Sequence, residues 1–84
     1  MPVQYVPIKE RVVEIVVRKL KLDESEVTPE KNFSKDLGAD SLNMVELCLE
    51  LESQFELDIP EEDAEKIKTV QDVIDYTQGE LGVE

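Results

Sequence analysis

The sequence predicts an all-α fold: a small antiparallel bundle of three main helices plus one short helix, with a long loop between helices one and two. Three observations carry this. Apolar residues recur at helical spacing in three stretches of the 84-residue chain, turn-forming residues crowd into residues 21–40, and no strand pair or hairpin signal is present. A chain of this length supports one core, so residues 1–84 are read as one domain.

The first helix is expected from about Pro7 to Leu20. Its β-branched run, Val12, Val13, Ile15, Val16 and Val17, would also suit a buried strand. Spacing decides for helix, because Val13, Val16, Val17 and Leu20 fall at i, i+3, i+4 and i+7. Pro7 suits a first turn, and Arg18, Lys19 and Lys21 suit the negative end of the helix dipole. Residues 21–40 follow as a polar connection, with Val27, Phe33 and Leu37 as the side chains that pin it to the core. Gly38 permits a tight turn, and Asp40 and Ser41 are both good helix starters.

Helix two is expected from about Ser41 to Phe55. At about 100° per residue, Met44, Leu47, Cys48, Leu51 and Phe55 collect on one face as a core stripe. Leu42, Val45 and Leu49 collect on nearly the opposite face, flanked by Glu46 and Glu50 on one side and Glu52 and Glu56 on the other. A helix packed all round would account for both apolar faces. The acidic flanks favour an exposed apolar stripe framed by carboxylates, the pattern of a protein-docking helix.

After Pro60 a short helical segment, Glu61 to Ile67, turns Ile59, Ala64 and Ile67 inward. Thr69 starts the last helix, with Asp72 three residues on as a capping partner and Val70, Val73, Ile74 and Thr77 on its inner side. Gly79 and Gly82 end it. Met1 to Tyr5 and Gly79 to Glu84 read as frayed ends.

Composition narrows the function. Hydrophobic residues make up 40% of the chain and aromatics 5%, so aliphatic side chains must build the core. The net charge of −12 repels nucleic acid and anionic membrane surfaces and points to basic protein partners. Eleven acids and no base lie between Asp36 and Glu65. There is no His, which removes the usual general base for a nucleophile and the commonest zinc ligand, so neither self-contained catalysis nor a metal site is expected. The single cysteine, Cys48, cannot close an intrachain disulfide, and the N-terminal MPVQYVPIKERVV lacks a cleavage site or an apolar span. A mature, soluble, cytoplasmic monomer is expected. A calcium sensor is disfavoured because no Asp-x-Asx-x-Asx-Gly loop is present.

Ser41 sits where a helix offers free N–H groups to an anion. Its simplest use is as an ordinary capping hydroxyl. A catalytic nucleophile would need a base that the chain does not hold, so any chemistry at Ser41 requires another enzyme to activate it.

The stretch DLGADSLNMVELCLELESQFELDIPEEDAEKIKTVQDVIDY, Asp36 to Tyr76, resembles acyl carrier proteins of the dissociated bacterial fatty acid synthase kind. Three blocks agree in order and spacing: Asp36 through Leu42, Val45-Glu46-Leu47 leading to Phe55, and Asp58-Ile59-Pro60 through Lys66-Ile67. Val27-Thr28-Pro29 and Asn32-Phe33 agree as well.

The resemblance implies that Ser41, within Asp40-Ser41-Leu42, is the attachment site for 4′-phosphopantetheine, installed from coenzyme A by a phosphopantetheinyl transferase. It implies acyl cargo carried as a thioester between enzymes of fatty acid biosynthesis, with no catalysis by the domain itself. It also implies docking through Leu42, Val45, Glu46, Leu49, Glu50, Glu52 and Glu56 onto basic patches of those enzymes. The chain departs from the family at Asn43, neutral where an acid is common, and at Ser53 and Gln54, where Glu is common. Those departures imply differently tuned docking. Cys48 replaces a common valine and is expected to be a buried, inert thiol. The rival readings are a specialised carrier for polyketide or nonribosomal peptide synthesis and an unmodified acidic helical adaptor.

Overall fold

The computed structural model describes residues 7–82. In chain order these form α1 (Ile8–Leu20), one 3-10 turn (Glu24–Glu26), α2 (Ser41–Phe55), α3 (Glu61–Ala64) and α4 (Val70–Leu81), with no β-strand among the described residues. The expected three main helices and one short one are present, and no described helix is long and apolar enough to cross a membrane. The expected fraying of Met1 to Tyr5 lies outside the described residues, whereas residues 79–81, also expected to fray, are helical.

Helix α1 packs against both α2 and α4. Arg11, near its start, reaches the end of α2, donating from Nη2 to the Gln54 carbonyl at 3.2 Å with its guanidinium 4.4 Å from the centre of the Phe55 ring. Arg18, near the end of α1, meets Glu50 in the middle of α2. The two helices therefore run antiparallel. Because α2 has no basic residue in its own last turn, Arg11 supplies a cation to its negative end from outside.

Contact with two helices also moves the buried face of α1. Val12, Ile15 and Val16 are buried, whereas Val13, Val17 and Leu20 of the expected stripe are half-buried. A run of five β-branched residues fits two registers equally well, and packing on two sides selects the wider arc centred nearer Val12.

Helices α1 and α2 end alike. Lys21 and Glu56 adopt the left-handed conformation, with φ of 58° and 54°, and their N–H groups return to Val17 and Glu52. Leu22 and Leu57 then fold back onto the core. This is the helix-ending arrangement usually made by glycine.

The connection between α1 and α2 is more ordered than its polarity implies. Asp23 and Glu26 cap the 3-10 turn reciprocally. Val27 and Phe33 are buried as expected, Leu37 is only half-buried, and Ala39 is buried in addition. Asn32 Oδ1 accepts the N–H groups of Ser34 and Lys35, and the Asn32 N–H donates to Asp36 at 2.8 Å. An isolated antiparallel bridge joins Asn32 to Thr69, the Phe33 N–H donating to the Lys68 carbonyl at 2.9 Å and the Val70 N–H to the Lys31 carbonyl at 3.1 Å. The loop is thus stitched to the start of α4, which fixes where α2 begins.

Two boundaries differ from expectation. Helix α3 ends at Ala64, not Ile67, and a turn carries Ile67 into the core. Helix α4 passes through Gly79 to Leu81, and Gly82 ends it with φ of 72°. One exposed interior glycine costs only about 1 kcal/mol, too little to stop a helix that buries Val70, Val73, Ile74 and Thr77 on its inner face.

Candidate functional site

Asp40, and not Ser41, caps α2. Its Oδ1 accepts from the Asn43 N–H at 2.9 Å, and Asn43 Oδ1 accepts from the Asp40 N–H at 3.1 Å. Ser41 is then the first helical residue and is exposed. The capping reading of its hydroxyl is overturned, because the neighbour does that work. Gly38, with φ of 69°, makes the expected tight turn, and the Ala39 N–H donates to the Phe33 carbonyl at 2.8 Å.

An open groove of about 710 Å³ starts at Ser41. Phe33, Ala39, Met44, Val45, Ala64 and Ile67 give it an apolar lining, while Asn32, Ser34, Asp40, Glu61, Glu65 and Lys68 supply its polar groups. It runs between the start of α2, the α3 segment and the loop that precedes α2. The groove is mostly apolar and lies beside the exposed Ser41. The wall formed by α3 is held from behind, where the Tyr76 hydroxyl lies 2.9 Å from Asp63 Oδ2 and 3.2 Å from the Asp58 carbonyl. Burial and the Asp63 carboxylate push the Tyr76 pKa up, so the hydroxyl remains a donor.

The stripe Leu42, Val45 and Leu49 is exposed, at 64%, 55% and 59%. The alternative of a helix packed all round therefore fails. Leu47, Leu51 and Phe55 are buried on the other face, with Met44 and Cys48 half-buried beside them. Cys48, expected to be buried, is only half-buried; that burial, reinforced by Glu52, pushes its thiol pKa up.

The four flanking carboxylates are not equivalent. Glu46 is exposed and in no ion pair among the described residues. Glu50 faces Arg18 at 2.8 Å and Lys19 at 3.7 Å, and accepts from Gln54 at 2.9 Å. Gln54 first, then Lys19 and Arg18, hold its pKa below the usual carboxylate value. Glu52 accepts the Ile59 N–H at 2.8 Å and so anchors the turn after α2. Glu56 is the left-handed residue that ends the helix. Sequence reading treated all four alike; the Arg18 partner of Glu50, 32 residues away, leaves no local signal. It also missed the groove residues Met44, Glu61, Glu65 and Lys68, of which only Glu61 and Glu65 carried a usable sign, their i, i+4 spacing.

The family model described as "Phosphopantetheine attachment site" matches residues 10–77. Similar curated proteins include three named "Acyl carrier protein". That of Chlorobium phaeobacteroides is 56% identical over 69 residues, which cover 82% of this chain and 88% of the relative. Those of Chlorobium phaeovibrioides and Chlorobium luteolum are 55% and 54% identical with the same coverage.

Proposed function

The chain belongs to the acyl carrier protein family and carries acyl chains on a 4′-phosphopantetheine arm; from that premise we propose that Ser41 holds the arm and that the protein serves fatty acid biosynthesis. The observation that carries the assignment is the Ser41 hydroxyl, released from capping by Asp40 and standing at the mouth of an apolar groove. The arm supplies a terminal thiol on which the cargo rides as a thioester.

In loading, Ser41 Oγ attacks the β-phosphate of coenzyme A. One P–O bond forms to serine, the P–O bond to the leaving adenosine 3′,5′-bisphosphate breaks, and the hydroxyl proton passes to a base of the transferase, since this chain has no His. The free N–H groups at the start of α2 favour the attached phosphate. The groove beside them offers the cargo a partial shelter from water. The domain catalyses no step itself and acts as a shuttle.

Docking to partner enzymes runs through Leu42, Val45 and Leu49, with Glu46 and Glu56 at the rim. Glu50 and Glu52 support the face from within the fold, through Arg18 and the Ile59 N–H. A carrier visits many enzymes in turn, so fast and weak encounters steered by charge suit it, and the acidic stretch Asp36–Glu65 supplies the field. Cytoplasmic residence fits the lone, unpaired Cys48. The test of the pathway is to load the arm with a saturated acyl group and offer it to fatty acid elongation enzymes with basic docking patches. Turnover is expected there. Service only to polyketide or nonribosomal peptide enzymes would overturn the pathway while leaving the carrier.

A further inference from the structure

The groove beside Ser41 carries three acids, Asp40, Glu61 and Glu65, and among its lining residues one base, Lys68. An arm on Ser41 places a phosphodiester, a further negative charge, at this mouth. The neighbouring carboxylates repel it. The α2 N–H groups oppose that repulsion at the serine itself, and Lys68 is the one cation among the residues that line the groove.

We propose that Lys68 is a positioning residue for the arm: its ammonium group pairs with the phosphodiester on Ser41 and holds the arm across the groove instead of free in solvent. This rests on the assignment of the arm to Ser41. The backbone of Lys68 is fixed on both sides, its carbonyl accepting the Phe33 N–H at 2.9 Å and its N–H donating to Asp72 Oδ2 at 2.9 Å. The stem therefore starts from a defined point on the groove wall. Lys68 forms no ion pair among the described residues, so its charge is available. Lys66, two residues earlier, lines a different depression with Asp63, Asp75 and Tyr76 and does not touch this groove. The two lysines form an internal comparison, one lining the groove beside Ser41 and one lining a different depression.

The experiment uses the full chain with and without the arm, its thiol blocked, and intact mass confirms loading. Both forms are treated with a limiting uncharged acetylating reagent, and acetylation of Lys68 and Lys66 is read by peptide mass. Loading is expected to slow acetylation of Lys68 about twofold to fivefold, the factor of an exposed ion pair, and to leave Lys66 unchanged. High salt should remove much of that protection, which simple shielding by the arm would not show. In parallel, relaxation of the arm's geminal methyl groups should show greater mobility in Lys68→Gln than in Lys66→Gln or the parent. Loaded protein with equal acetylation of Lys68 in both forms, or an arm equally mobile in all three proteins, overturns the proposal alone. Failure of the parent to gain the arm at Ser41 overturns the attachment reading and this proposal with it.

Discussion

Asp40 and Asn43 cap α2 reciprocally, each side chain accepting the other's backbone N–H, at 2.9 and 3.1 Å. The pair leaves Ser41 at the helix start with no structural duty. Ser41→Ala should therefore change stability by less than about 0.5 kcal/mol, as for an ordinary surface position, while abolishing attachment of the arm. Asp40→Ala should lose the cap and about 0.5–2 kcal/mol. Urea unfolding of both variants checks the contrast, and equal losses would return the capping role to the serine.

The stripe Leu42, Val45 and Leu49 was legible because helical periodicity alone separates it from the core stripe. The choice of cap was not, since Asp40 and Ser41 are both good starters and the deciding group, Asn43, acts by reaching back. Asn43, a departure from the family pattern, keeps this contact, its side-chain oxygen accepting the Asp40 N–H as a carboxylate would. The groove was illegible for a different reason. It closes only when the Asn32–Thr69 bridge brings residues far apart in sequence together, and local pattern carries no trace of such pairing. The ion pair between Arg18 and Glu50 is hidden in the same way.

That ion pair sets Glu50 apart from Glu46 in charge. Glu46→Gln should slow association with a basic partner by a few-fold at low salt, on the order expected for loss of a steering charge. Glu50→Gln should do less, because Arg18 and Lys19 already offset its charge. Stopped-flow association rates at two ionic strengths check this; a larger effect at Glu50 would place docking elsewhere on the helix.

Asp72 gives a pH dependence of known sign. The Lys68 N–H first, then the Thr69 N–H and hydroxyl, hold its pKa below the ordinary 3.8. A carboxylate lowered in the folded state contributes stability that is fully present above its unfolded value and is lost as pH falls through the folded one. Asp72→Asn should thus be less stable than the parent at pH 7, with the gap closing below about pH 3.8. Thermal melts from pH 7 to pH 2.5 read it, and a gap independent of pH would remove the charge from the explanation.

Glu56 holds a left-handed backbone that costs a side-chain-bearing residue about 1–2 kcal/mol. Glycine relieves that strain and gives back part of the gain through its freer unfolded chain. Glu56→Gly should therefore exceed Glu56→Ala in stability by about 0.5–1 kcal/mol, both having lost the charge. Equal midpoints in urea would contradict the assigned helix ending.

The acidic stretch Asp36–Glu65 has its only ion pairs among the described residues at Glu50. Repulsion among the rest should make added salt stabilising, and millimolar magnesium more so, since it can bridge neighbouring carboxylates. A gain of about 1 kcal/mol would appear as a rise of about 4–8 °C in Tm. A flat or falling Tm would mean that the carboxylates are satisfied internally.

The most direct test of the central claim is intact-mass measurement before and after incubation with coenzyme A and a broad phosphopantetheinyl transferase, followed by peptide mapping. One stoichiometric phosphopantetheine addition is expected, located at Ser41 and absent from Ser41→Ala. An addition on Ser34, Ser53 or Cys48, or one that persists in Ser41→Ala, would contradict it.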